Sequence, residues 1–113
     1  MSGTAPLAAI RRWNHATAVF RISGASSPDG PWPARVVMNG RRLIVEVRWQ
    51  NRVISYSGAL DTTGAYQLQI DEPPGGRAEL EPDDLNEPGK LEGGWNEGGG
   101  NRGTWTVHLG QLV

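Results

Sequence analysis

Leu91-Glu92-Gly93-Gly94-Trp95 and, after a glycine-rich tip, Gly103-Thr104-Trp105-Thr106-Val107-His108-Leu109 decide the fold of this chain. Each run carries a glycine two residues before a tryptophan and alternates apolar with polar positions. Period two belongs to strands, whose alternate side chains share a face. A glycine beside a bulky indole on one face further indicates a curved, tightly closed sheet. The short segment Glu97 to Arg102 joins the two runs as a hairpin.

Six more alternating runs precede this hairpin. The first, Thr17 to Ser23, sets Ala18, Phe20 and Ile22 on one face, and a Ser- and Pro-rich loop, Gly24 to Pro33, follows. The second, Arg35 to Met38, ends at Asn39-Gly40, a strong signal for a type I′ hairpin turn. Arg42 to Trp49 turns Leu43, Val45, Val47 and Trp49 one way; Val53 to Leu60 turns Ile54, Tyr56, Gly58 and Leu60. Gly64 to Ile70 places Gly64, Tyr66, Leu68 and Ile70 inward, and Arg77 to Glu81 does the same for Ala78 and Leu80. No connection is long enough for a crossover helix, so sequential strands pair antiparallel. Closure removes the exposed edges. The expected fold is all-β, an eight-stranded antiparallel up-and-down meander closed as a β-barrel.

The chain has 113 residues, enough for one core and one domain. The barrel is expected over residues 17–113, with residues 1–16 packed on one barrel end or loose. Within that N-terminal segment, Leu7, Ile10 and Trp13 stand three apart and predict a helical turn over Pro6 to Trp13. The cost of leaving Trp13 in water favours packing it against the barrel.

Cysteine is absent, which excludes disulfides and thiolate metal sites. No run approaches the ~20 apolar residues of a membrane-spanning helix. Arg11-Arg12 follows the apolar Leu7 to Ile10 instead of preceding it, so no signal peptide is visible. The expectation is a cytoplasmic protein, unless the sequence is a mature exported form. The formal net charge of −1 hides a split, because residues 1–60 balance to +6 and residues 61–113 to −7. Such halves either are plain solvated faces or could guide copies of the chain into a homo-oligomer. An apparent mass that stays monomeric at low and high salt would remove that reading.

Little in the chain points to catalysis. His15 and His108 read as surface residues, and no Ser-His-acid spacing is visible. Glu79, Glu81, Asp83, Asp84 and Glu87 read as a solvated acidic loop, since their spacing does not match a calcium loop. Gly98-Gly99-Gly100 lacks the helix and lysine of a phosphate loop. No catalytic residue, metal or cofactor is assigned. Arg35, Arg41, Arg42, Arg48 and Arg52 with Trp32 could form a basic aromatic patch for single-stranded nucleic acid. The acidic second half would repel that polymer, so nucleic acid is disfavoured as a partner.

The inward faces carry Phe20, Trp49, Tyr56, Tyr66, Trp95 and Trp105, with Gly58, Gly64, Gly93 and Gly103 among them. Eight strands enclose just enough space for side chains to fill, or for one small ligand. In the first case the glycines let the rings fit and the barrel is solid. In the second, a pocket at one mouth is lined by Trp49, Tyr56, Tyr66, Trp95 and Trp105, whose polar tips need partners that a ligand can supply. The preferred function is non-catalytic binding of a small hydrophobic or aromatic ligand. One alternative is a filled structural or protein-interaction module that self-associates through its charged faces. Another is a barrel isomerase or cyclase assisted by His15 or an arginine.

Gly93-Gly94-Trp95 and Gly103-Thr104-Trp105, set in an eight-strand meander, resemble the calycin-type barrels of the lipocalins and avidin-like proteins. Those families place their glycine-x-tryptophan motif on the first strand, whereas both copies here fall on the last two. No ligand residue is therefore carried over. The likeness spans about Thr17 to Leu109 and implies a small-molecule or lipid pocket in the barrel mouth.

Overall fold

The structure, a computed structural model, describes residues 10–71, 76–97 and 101–113. Eight strands follow one another as β1 (Ile10–Ile22), β2 (Asp29–Asn39), β3 (Arg42–Trp49), β4 (Arg52–Leu60), β5 (Tyr66–Ile70), β6 (Arg77–Pro82), β7 (Lys90–Asn96) and β8 (Arg102–His108). Each pairs antiparallel with the next, and β8 returns to β1, so the meander is a closed barrel with no free edge. The alternation read from the sequence is the alternation observed. In β3, Leu43, Val45 and Val47 are buried while Arg42, Ile44, Glu46 and Arg48 are exposed.

The N-terminal helical expectation is corrected. Ile10 to Trp13 is strand, paired with Val36 to Asn39 of β2; Pro6 to Ala9 lie outside the described residues. Ile10 and Trp13 stand three apart in a regular stretch of ladder, so they fall on opposite faces, Ile10 exposed and Trp13 buried. The β1–β2 register shifts between Trp13 and Ala16, so two buried residues stand three positions apart on one face. Burial of Trp13 agrees with the expectation, but a strand delivers it.

β2 begins six residues earlier than the alternation suggested, at Asp29 rather than Arg35. Proline ordinarily counts against a strand. Here Gly30-Pro31 falls in a second register shift, between the pairs Ala18–Trp32 and Phe20–Asp29, where the ladder makes no demand on a proline nitrogen. The following turn also differs. Gly40 and Arg41 occupy its centre, and only Gly40 has positive φ, as in a type II′ turn rather than type I′. β5 starts at Tyr66, and Gly64 sits in the preceding turn at φ 93° with open space around it. Gly64 therefore does not make room for a ring.

Gly58, Gly93 and Gly103 do occupy the inner face, and their role is closeness of backbones. A Cβ on Gly93 would collide with the Glu79 carbonyl, and one on Gly58 or Gly103 with the carbonyl of Gln67 or Arg21. Bare backbone lets neighbouring strands fold over one another at these positions. The β6–β7 ladder pairs Ala78 with Trp95 and Glu81 with Glu92, but not the residues between. The Glu79 carbonyl instead accepts the Trp105 Nε1 hydrogen at 3.2 Å. Trp105, directly opposite Gly93 on β8, reaches it across the glycine.

The core runs the length of the barrel. At one end Trp13, Met38, Leu43, Tyr66, Leu80, Leu91 and Leu109 are buried. Arg11 lies over the Trp13 ring, 5.9 Å from its centroid, and donates to the Asn86 carbonyl at 3.0 Å, tying β1 to the β6–β7 connection. That connection is braced by its own aspartates. Asp83 accepts from the Gly89 and Lys90 amides, and these bonds hold its carboxyl below the usual range. Asp84 accepts from Asn86 and Glu87. Asp83 and Asp84 thus brace local turns, Glu79 and Glu81 face outward on β6, and no group of residues suited to a metal occurs among the described residues.

Candidate functional site

An up-and-down meander brings alternate connections to the same end. The β1–β2, β3–β4, β5–β6 and β7–β8 connections therefore belong to one end of the barrel. A cavity of about 190 Å³ lies there. Phe20 and Ile22 from the end of β1, Trp49 from β3 and Ile70 from β5 line it. Ile54 and Tyr56 from β4 and Trp95 from β7 complete its apolar wall. Asp29, Glu97 and Asn101 supply the polar rim.

Four rings, Phe20, Tyr56, Trp95 and Trp105, form one connected cluster. Phe20 lies 5.3 Å from Trp95 and stacks on Trp105 at 5.4 Å, while Tyr56 meets Trp105 at 4.6 Å. Trp105, 1% exposed, is the floor beneath two lining rings rather than part of the lining. Such contacts fix ring orientation beyond what area burial alone provides.

Each polar atom has a distinct state. The Asp29 carboxylate accepts two indole hydrogens, from Trp32 at 3.1 Å and Trp49 at 3.2 Å, and so holds both rings at the rim. Those two rings meet edge-on, 6.4 Å apart. Asn101 donates to Glu97 at 2.9 Å, and the Glu97 amide donates to the Asn101 carbonyl at 2.9 Å. Burial pushes the Tyr56 phenol up to about 12, and the Glu97 charge adds to the rise. Tyr56 is therefore a neutral hydroxyl at any ordinary pH. Trp95 Nε1 is buried with no hydrogen-bond partner. The Trp95 side chain eases the rise at Tyr56, which places its N–H beside that hydroxyl, though the pair lacks hydrogen-bond geometry.

Of the five residues expected at the mouth, the structure brings Trp49, Tyr56 and Trp95 together around the cavity. Tyr66 lies near the opposite end, opposite Leu60 and Leu80. Its phenol is raised by burial and eased by Arg11 and Arg41. Phe20, Ile22, Ile54 and Ile70 were legible as inward-facing, and counting which strand ends meet at one mouth would have added them. Asp29 was not legible, because Gly30-Pro31 disguised the start of its strand.

The other candidate groups stay apart from the cavity. His15 and His108 are exposed. Outward Arg35, Arg42 and Arg48 on β2 and β3 lie across the barrel from Glu79, Glu81 and Glu92 on β6 and β7. No helix among the described residues is long and apolar enough to cross a membrane.

Fold and site together define a small up-and-down β-barrel with a ring-lined cavity in one mouth. Comparison with known proteins adds no relative: no family model, no curated protein and no solved structure matches the chain. The closed eight-stranded barrel is present, while a specific lipocalin or avidin-like assignment finds no support there.

Proposed function

We propose that the protein binds a small hydrophobic or aromatic ligand in the barrel mouth, without transforming it. One observation carries this reading. The interior is packed at one end, yet at the other seven apolar side chains surround about 190 Å³ instead of closing on it. A void of roughly 150 Å³ lined by apolar side chains accommodates benzene, so this one suits a single substituted ring. The lining has the composition of a ligand site, mostly aromatic and aliphatic with a few polar groups at its edge. Trp49, Tyr56 and Trp95 are the proposed contact residues, with Trp105 supporting them from below.

Tryptophan fluorescence tests the reading. Titration with single- and two-ring apolar compounds should give a saturable change in emission, since Trp49 and Trp95 border the cavity. Ile54→Phe, which fills part of the space, should weaken that binding. A flat emission across the panel, or binding untouched by Ile54→Phe, would remove the pocket as the site.

A further inference from the structure

The charges and rings around the cavity narrow the ligand class, a step that rests on the binding reading above. Asp29 and Glu97 are the ionisable groups at its rim, and both residues are half-buried. Their hydrogen-bond donors are neutral: the Trp32 and Trp49 indoles for Asp29, and the Asn101 side-chain amide for Glu97. Neutral donors orient a carboxylate without cancelling its charge. Among the described residues no ion pair engages either one. The Glu97 charge also reaches inward, since it helps to raise the phenol of Tyr56 in the cavity wall.

No lysine, arginine or histidine lines the cavity. Arg21, Arg48, Arg52, Arg77 and Arg102 belong to the same end, but all five are exposed to water and stand outside the lining. Exposed charges are screened more strongly than half-buried ones. Two negative charges thus act on whatever the cavity holds.

The walls favour the same sign. Phe20, Trp49, Tyr56 and Trp95 are four of the seven apolar side chains around the space. Ring faces attract a cation within ~6 Å of their centroids, most strongly at tryptophan. A space of about 190 Å³ keeps its occupant near several of these rings at once. A bare metal ion is the wrong cation, because no group of acids and histidines among the described residues could hold one. An anion would meet two like charges. An organic cation seated at the rim meets neither obstacle, and beside half-buried carboxylates it keeps part of its hydration.

We infer that the cavity takes a ring-sized organic cation, an arylalkyl ammonium, with its ring among Phe20, Ile54 and Ile70 and its charged nitrogen near Trp49, Trp95 and the rim carboxylates. Asp29 and Glu97 then set specificity by charge, and Asp29 also positions the Trp49 ring. Neutral rings fit the space but leave that charge unused.

Benzylammonium, benzyl alcohol and benzoate are similar in size and differ in charge. Shift titrations of the nitrogen-labelled full chain, at neutral pH and low salt, read affinity and place together. Benzylammonium should bind about tenfold tighter than benzyl alcohol, the combined effect of a cation–π contact and a half-exposed ion pair. Benzoate should bind weakest. The shifts should centre on the Trp49 and Trp95 indole N–H resonances, whose rings border the space. Glu97→Gln should cut the ratio of benzylammonium to benzyl alcohol affinity about threefold. It is a cleaner probe than a change at Asp29, whose carboxylate also holds two rings. Salt at ~1 M, where the screening length is about 3 Å, should lower the same ratio. Equal affinity for benzylammonium and benzyl alcohol, tightest binding by benzoate, or a ratio unmoved by Glu97→Gln or by salt would each overturn the inference while leaving a binding barrel. So would benzylammonium shifts centred on the outward Glu79, Glu81 and Glu92 instead of the cavity. Shifts at neither indole with any of the three would instead remove the underlying binding reading, and the inference with it.

Discussion

The two ends of this barrel are made from the same eight strands and the same alternating pattern, yet one is filled and the other holds a cavity. At the filled end the inward residues are mostly aliphatic, with Met38, Leu43, Leu80, Leu91 and Leu109 nearly inaccessible to water, and Arg11 spans the outside of Trp13. At the other end the inward residues are mostly rings, held at fixed angles by one another and by Asp29. Flexible aliphatic chains interdigitate to the density of a protein interior. Rigid planes locked by edge and face contacts do not collapse onto the last space between them. The cavity follows from residue type at one end of a uniform pattern.

The boundary between the ends offers the largest test. Gly93 and Gly94 are neighbours in sequence on one strand, but a Cβ on Gly93 would meet the Glu79 carbonyl, while Gly94 has nothing within 4 Å. Gly93→Ala must push β6 away from β7 and also disturb the carbonyl that receives the Trp105 hydrogen. We expect a loss of about 3 kcal/mol or more in urea unfolding, at the top of the range for overpacking. Gly94→Ala should be neutral or raise stability by about 0.5 kcal/mol, through the lower entropy of the unfolded chain. Similar losses at both positions would show that the close approach at Gly93 is not what shapes the barrel.

Truncation at the two ends sharpens the contrast at a smaller scale. Leu43→Ala removes a side chain with no exposure from the filled end and should cost about 3 kcal/mol. Ile54→Ala at the mouth removes a half-buried side chain that already borders empty space, so about 1 kcal/mol is expected. Equal costs, measured by chemical denaturation, would mean that the mouth is packed as tightly as the far end.

Much of this architecture was legible because period two is enforced by geometry: every second side chain must face the interior once the sheet closes. Strand number and facing followed from that rule, and strand order from the shortness of the connections. The errors fell where the ladder departs from regularity. Ile10 and Trp13 matched a helical spacing although they face opposite ways on β1, and the register shift at Gly30-Pro31 concealed the first six residues of β2. At the site, Trp49, Tyr56 and Trp95 were legible as rings on the inner face, but the space between them was not. Volume depends on ring tilt and strand coiling, and neither is encoded in alternation. The same holds for Trp95 Nε1, because only its position separates it from Trp105 Nε1, which finds a backbone carbonyl.

The last test is one of pH and belongs to Tyr56, where the two regions meet. Its phenol is raised to about 12, first by burial and then by the Glu97 charge, with Trp95 opposing. In the unfolded chain it titrates near 10. Below pH ~10 the hydroxyl is protonated in both states, so it makes stability independent of pH there. Between ~10 and about 12 the unfolded chain has released the proton that the folded chain still holds, and stability falls as pH rises through this window. Across the full interval the loss attributable to this group is about 2 kcal/mol. Tyr66, also raised by burial, contributes with the same sign, so the difference between the parent and Tyr56→Phe isolates Tyr56. The parent's denaturation midpoint should fall more steeply than that of Tyr56→Phe as pH climbs past 10. Parallel pH profiles would mean that Tyr56 reaches solvent through the mouth, and that the cavity shields it less than its lining implies.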